Sequence, residues 1–279
     1  EMLSERSYMR GGEYGHRYTS VLTWLICAMV AAFILQNIFW RWFGPGAGLS
    51  FDRAFELSVP AIKSGQIWTF LTYGFLHSPT NFFHIIGNLL GLFFLGRELL
   101  PFLGSRRFVG LFLGAIVSGG LLWAATNWSH GGSVIGASGG VAALLVVFAC
   151  MNPNQPITLL LFFVLPVTLR PKWIAIGLLA IDLCGFLFYE AMGSGSPFGF
   201  AHSAHLGGMA AGWLYYRYVH ASEWRSPARP ASMELPRWFQ RNRQASAPPP
   251  AYKVNVQPTP DIRSRGDLRV EVDRILDKI

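Results

Sequence analysis

Three short stretches hold the side chains that could do chemistry. In Gly136–Ala137–Ser138–Gly139 a serine stands among glycines, and the apolar run Val141 to Cys150 follows at once. His84 and Asn88 lie four residues apart near the start of a second apolar run, and His202 and His205 lie three apart in a third. A serine hydroxyl is a weak nucleophile until a base takes its proton, and a neutral imidazole is the commonest such base. Amide hydrolysis then needs donors for the tetrahedral oxyanion, and His84, Asn88 and the Ser138 backbone N–H are available for that. In a soluble α/β protein a Gly-Xaa-Ser-Gly would suggest a nucleophile elbow between strand and helix. Here Ser129 to Ser133 is a polar, Gly-containing loop and no strand-like run precedes the serine. Ser138 is therefore expected at the mouth of a membrane helix. Taken singly, each residue also has a plain structural reading: a helix serine back-bonding to its own turn, a buried packing histidine, a glycine serving close contact.

The elements that must position these groups are apolar. Of 279 residues, 52% are hydrophobic and only 14% charged, with a positive mean hydropathy. That composition implies a polytopic membrane protein rather than a soluble enzyme. The net charge of +8 does not imply a nucleic-acid partner, because the basic residues cluster at helix ends and in the C-terminal tail. Cys27, Cys150 and Cys184 lie in apolar runs without CxxC spacing, which argues against both a disulfide framework and a thiolate metal site.

Along the chain, residues 1–19 read as a polar cytoplasmic tail, too polar for a cleavable signal. Six apolar spans are expected over 20–219, at 20–43, 82–103, 108–126, 136–151, 173–192 and 199–219. Residues 44–81 form an amphipathic loop expected partly in the membrane interface. Residues 157–169 are apolar but interrupted by Pro166, and read as a surface or re-entrant segment. Residues 220–266 are rich in Pro, Ser and Arg and read as disordered linker; 267–279 has the periodicity of a short amphipathic helix that needs a partner. Its abrupt stop suggests a cut C-terminus. Arg106, Arg107, Arg170, Lys172 and Arg217 fall on one side of the predicted topology, and the loops after spans three and five carry no Lys or Arg. The bias places both termini in the cytoplasm, with Arg53 and Lys63 in the first loop as exceptions.

That topology brings His84, Asn88, Ser138, His202 and His205 to one depth near the outer face. Ionisable groups at membrane depth are costly and point to function. Ala201, His205, Gly208 and Gly212 share one helical face, and Gly136, Gly139 and Gly140 surround Ser138. Two glycine-faced helices can approach closely enough to set an imidazole against a serine oxygen.

Gly136–Ala137–Ser138–Gly139, Ala204–His205–Leu206–Gly207–Gly208 and His84–Ile85–Ile86–Gly87–Asn88 together resemble the rhomboid family of intramembrane serine proteases, in the bacterial type, over roughly residues 20 to 219. The resemblance implies an all-α, six-helix membrane bundle that cleaves transmembrane segments of substrate proteins near the outer face. It implies Ser138 as nucleophile, His205 as general base, and His84, Asn88 and the Ser138 N–H as oxyanion hole. Gly136, Gly139, Gly208 and Gly212 would be supporting small residues. No cofactor or metal is implied. The partners would be transmembrane substrates and the lipid bilayer, and the place a bacterial cytoplasmic membrane.

Several positions depart from the family pattern. Trp68–Thr69 replaces a frequent Trp-Arg, Leu100 stands where a Glu is usual with Glu98 off-register, and Ala142 replaces an aromatic that packs on the catalytic histidine. Asp182 lies mid-span, near the expected bilayer centre, and is not cast as a third catalytic member. Two rival readings are a catalytically silent rhomboid-like protein that binds transmembrane clients, and a metal-dependent hydrolase using His77, His84, His202 and His205. The first is disfavoured because serine and histidine are both present, the second because no HExxH occurs.

Overall fold

The computed structural model describes residues 12–161, 165–193, 196, 199–220 and 272–273. The chain is mostly helical. Helix α1 (Gly12–Arg41) leads into a connection that is itself helical, with α2 (Pro45–Phe55), α3 (Val59–Lys63) and α4 (Thr69–Thr72). Helix α5 (Phe82–Asn127) follows, then α6 (Ser138–Met151), α7 (Pro171–Gly185), continued by a π-helical turn Phe186–Glu190, and α8 (His202–Leu214), continued by a second, Tyr215–His220. Two short strands, β1 (Leu57–Ser58) and β2 (Ser133–Val134), pair antiparallel. Strands β3 (Ile157–Leu161) and β4 (Leu165–Leu169) form an antiparallel hairpin.

Two of these elements differ from what the sequence suggests. Residues 12–19 continue α1 rather than lying in a tail. The segment expected at the surface or re-entrant is the β3–β4 hairpin, so the fold is not purely helical. Its register places Pro166 opposite Leu160, near the turn end of a two-stranded pair where a missing N–H is tolerated. The expected spans two and three are both helical, within α5, and the helix breaks between them at Gly104, whose φ of +72° and ψ of 159° are not helical. A residue with a Cβ rarely adopts that conformation. Beyond the bend the chain returns along itself, since Phe108 Cζ lies 3.1 Å from where a Cβ on Gly96 would sit.

Val21–Arg41, Phe82–Asn127 and Pro171–Glu190 are the three described helices long and apolar enough to cross a membrane. A crossing needs about 20 apolar residues, so the bent α5 is long enough for two. The predicted linker and terminal helix lie outside the described residues, except that Val272 and Asp273 are helical.

Helix α6 is the centre of the bundle, with Gly139, Gly140, Ala142, Ala143, Leu144, Val147, Phe148 and Ala149 all buried. Helices α5 and α8 close on it through glycine seams. A Cβ on Gly208 would run into the Gly139 backbone, one on Gly212 would meet the Ala143 carbonyl at 2.5 Å, and one on Gly139 the Ala204 carbonyl at 3.0 Å. Close backbone approach through small residues is how helices associate where lipid offers no hydrophobic drive. The helical connection is tied to the same centre. Tyr73 donates its hydroxyl to the Ile116 carbonyl at 2.6 Å, and the Gly136 N–H donates to the Tyr73 carbonyl at 2.9 Å. With the β1–β2 pair, these bonds anchor the turn that enters α6.

Candidate active site

Ser138 is the first residue of α6, with Ala137 at the N-cap. The backbone N–H groups of a first helical turn have no intrahelical acceptor, so Ser138 sits where donors and a partial positive charge converge. The preceding turn depends on Gly136, at φ +125°, where a Cβ would meet His84 Nε2 at 2.6 Å. Glycine there permits the backbone shape and the close approach of His84.

His205, on the first full turn of α8, places Nε2 2.7 Å from Ser138 Oγ. Its Nδ1 lies 2.9 Å from Asp182 Oδ1. A carboxylate oxygen accepts, so Nδ1 carries the proton and Nε2 is left to accept from the serine hydroxyl. This corrects the sequence-based exclusion of Asp182. The carboxylate is 2% exposed and lies against His205 despite its mid-helix position in α7. It also explains how His205 is oriented with Ala142 in place of an aromatic. The Phe200 ring supplies a further neighbour, its centre 6.2 Å from both the His205 and His202 rings.

His202 is buried on the same carboxylate. Its Nδ1 is 2.8 Å from Asp182 Oδ1, and its Nε2 is 3.2 Å from Ser196 Oγ. Its ring occupies space left by Gly185 on α7, where any Cβ would collide with the imidazole.

His84 lines the cavity in front of Ser138. The Ser78 N–H donates to its Nδ1 at 3.4 Å, which leaves the proton on Nε2, the atom beside Gly136. Asn88 behaves differently. It is buried, and its Nδ2 donates to the His84 carbonyl at 2.9 Å, one turn back on its own helix, so its amide is spent on α5. The cavity has a volume of about 560 Å³ and is bounded by Tyr73, His84, Trp123, Ser138, Phe200 and His205 among others.

Glu190 is a residue that sequence reasoning passed over. It is buried and accepts from Asn127 Nδ2 at 2.6 Å, from the Ser203 N–H at 2.8 Å and from the Ser203 hydroxyl. A carboxylate over the first turn of α8 satisfies an orphan N–H and suits the helix dipole. It ties α5, α7 and α8 together one turn from His205. The signal was present as an acidic residue closing an apolar run.

Side-chain hydrogen bonds tie the first connection together. Trp68 Nε1 donates to the Ala54 carbonyl at 2.8 Å, and Asp52 accepts from Gln36 and Trp40, both at 2.8 Å. Gln36 in turn accepts from the His77 N–H at 3.3 Å. His77 is fully buried, its ring centre 5.0 Å from that of His84. Burial, then the neighbouring His84, pull its imidazole down to about 4, against the opposing bond to the Phe75 carbonyl. Among the described residues no trio of His, Cys, Asp or Glu is arranged to hold a metal ion.

Long apolar helices around a half-buried Ser–His pair backed by the buried Asp182 make this an integral membrane protein. The chain belongs to the rhomboid family, whose Rhomboid domain model matches residues 64–222. It is similar to RHOMBOID-like protein 12, mitochondrial, of Arabidopsis thaliana, with 24% identity over 74% of this chain and 60% of that protein. It is also similar to Rhomboid protein 1, mitochondrial, of Saccharomyces cerevisiae, with 30% identity over 52% of this chain and 40% of that protein. The chain thus spans less than two thirds of the length of either relative. Both carry mitochondrial names, and the expectation of a bacterial-type member in a bacterial membrane finds no support in them.

Proposed function

We propose that this protein is an intramembrane serine endopeptidase that cleaves transmembrane segments of other proteins. The observation that carries the reading is the 2.7 Å contact between Ser138 Oγ and His205 Nε2, backed by Asp182. In the reaction Ser138 Oγ attacks the scissile carbonyl while His205 Nε2 takes its proton. Asp182 keeps the imidazole turned and faces the positive charge that develops on it. The oxyanion is received by the Ser138 N–H and His84 Nε2–H, with Asn88 joining only if its amide leaves the His84 carbonyl. His205 then returns the proton to the leaving amine, and water, deprotonated by the same imidazole, releases the acyl group from Ser138.

Family membership and the fold-back of α5 support six crossings, made by α1, the two halves of α5, α6, α7 and α8. Six crossings leave both ends of the domain on one side. The Arg and Lys bias assigns that side to the cytoplasm, which puts Ser138 toward the outer face. A helix in lipid hides its peptide bonds in its own hydrogen bonds, so a substrate must unwind locally before attack. Substrates with Gly or Pro near the outer face, and a small residue at the cut, meet that demand.

The test is cleavage of a reporter bearing a transmembrane segment with a movable Gly-Ala pair, with products located by mass spectrometry. The unaltered protein should cut in the outer part of the segment, and Ser138→Ala and His205→Ala should not cut. Cleavage by Ser138→Ala at the native rate would overturn the reading.

A further inference from the structure

Asp182 serves two histidines at once. His205 Nδ1 and His202 Nδ1 lie 2.9 and 2.8 Å from the same oxygen, Oδ1, while Oδ2 is buried with no partner among the described residues. Each imidazole faces a serine with its other nitrogen, His205 at Ser138 and His202 at Ser196. The result is one continuous chain of hydrogen bonds, Ser138–His205–Asp182–His202–Ser196, symmetric about the carboxylate. Only the first arm reaches the reacting atoms.

We infer that His202 is a positioning residue for proteolysis, holding Asp182 Oδ1 on His205 Nδ1 while Ser196 holds the His202 ring in the tautomer that does so. The inference rests on the proteolytic reading given above. The Ser196 hydroxyl donates to His202 Nε2, which leaves the proton on Nδ1 and points it at Asp182. With Oδ2 unpartnered, the two imidazole N–H groups are what orient the carboxylate. Without His202 a single bond remains, about which the carboxylate can turn. A hydrogen-bonding partner behind a functional histidine fixes ring and tautomer in this way in metal sites, where its loss typically costs about 10- to 100-fold. His202 and His205 are one helical turn apart on α8 and Asp182 comes from α7, so the second arm also locks the two helices at the depth of the base.

The experiment measures kcat and KM for the transmembrane reporter, alongside the rate of Ser138 labelling by a fluorophosphonate, in full-length protein in detergent. His202→Leu keeps the bulk and removes the donor; kcat and labelling should fall by about 10- to 100-fold with KM little changed. His202→Asn presents an amide N–H where Nδ1–H stood and should recover most of that loss. Ser196→Ala should lower kcat less than His202→Leu does, and it decides the matter should the leucine variant fail to fold. In an Asp182→Ala background, which has no oxygen for His202 to hold, His202→Leu should cost markedly less than it does alone, because its effect passes through the carboxylate. The inference is overturned if His202→Leu cleaves at the native rate, if His202→Asn is as poor as His202→Leu, or if the two losses simply multiply. An unaltered protein that cuts nothing would overturn the proteolytic reading, and this inference with it.

Discussion

Replacing Asp182 with Asn separates the orientation of His205 from its electrostatic support. In soluble Ser-His-Asp proteases the same change costs about 10⁴-fold, because the amide N–H turns to the imidazole and forces the wrong tautomer. Here two N–H groups converge on Oδ1, at 2.8 and 2.9 Å, while the Oδ2 position is buried without a partner among the described residues. Turning the new amide would break both bonds and take Nε2 of His205 away from Ser138. The amide oxygen should therefore stay where Oδ1 was, and the tautomer should survive. What is lost is the charge facing the imidazolium. A hydrogen bond to a charged group is worth about 1.5–3 kcal/mol, so kcat should fall by only about 10- to 100-fold. Asp182→Ala frees the ring as well and should cost about 10³-fold or more. The assay is reporter cleavage with kcat and KM separated, beside thermal unfolding in detergent. Asp182→Asn keeps the side-chain shape and both hydrogen bonds and leaves no new buried charge behind, so the midpoint should move little. Native activity in Asp182→Asn, or equal losses in Asn and Ala, would refute the reasoning.

Three further outcomes can be checked. Gly208→Ala sets a methyl into the Gly139 backbone and should destabilise the bundle by about 1–3 kcal/mol while lowering kcat, read by thermal unfolding and cleavage; unchanged values would show that α6 and α8 need not touch there. His84→Ala should lower kcat by about 10²–10³-fold, the cost of losing an oxyanion donor, and Asn88→Ala by less because its amide is bonded to its own helix. His77 binds its proton near pH 4 when folded and near 6.5 when not, so its neutral form supports the fold fully above pH 6.5. As pH falls from 6.5 to 4 that support weakens by roughly 1.4 kcal/mol per unit, and His77→Asn should flatten this part of an acid-unfolding curve.

Much of the site was legible in the chain. Ser138, His205 and His84 stood out because polar side chains are rare in apolar runs and because glycines recur beside them at helical spacing. Those same glycines prove to be the seams along which α5, α6 and α8 meet. Asn88 was legible as a residue but not as a direction, since only its rotamer decides between the cavity and the His84 carbonyl. Depth counted along the sequence argues against Asp182, because counting residues from the ends of a span treats every helix as level with its neighbours. Glu190, closing the π-helical turn, accepts from the start of α8, and Asp182, two turns earlier, reaches both histidines. The axial offset between α7 and α8 is set by packing, and no periodicity in either segment records it.

The same division holds for the whole protein. Apolar run length, the charge bias and the residue types at Gly136, Ser138 and His205 are local properties, and local sterics and hydrophobicity suffice to make helices of those segments with those faces. The hairpin at 157–169 lies at the edge of that reach, because a short apolar run suits strand, helix or re-entrant turn until a partner is present. The shared carboxylate, the tautomers of His202 and His205, and the bonds from the connection to the turn before α6 belong to the tertiary structure. Each depends on distances near 3 Å between residues far apart in the chain, and the close packing of all the helices together sets those distances.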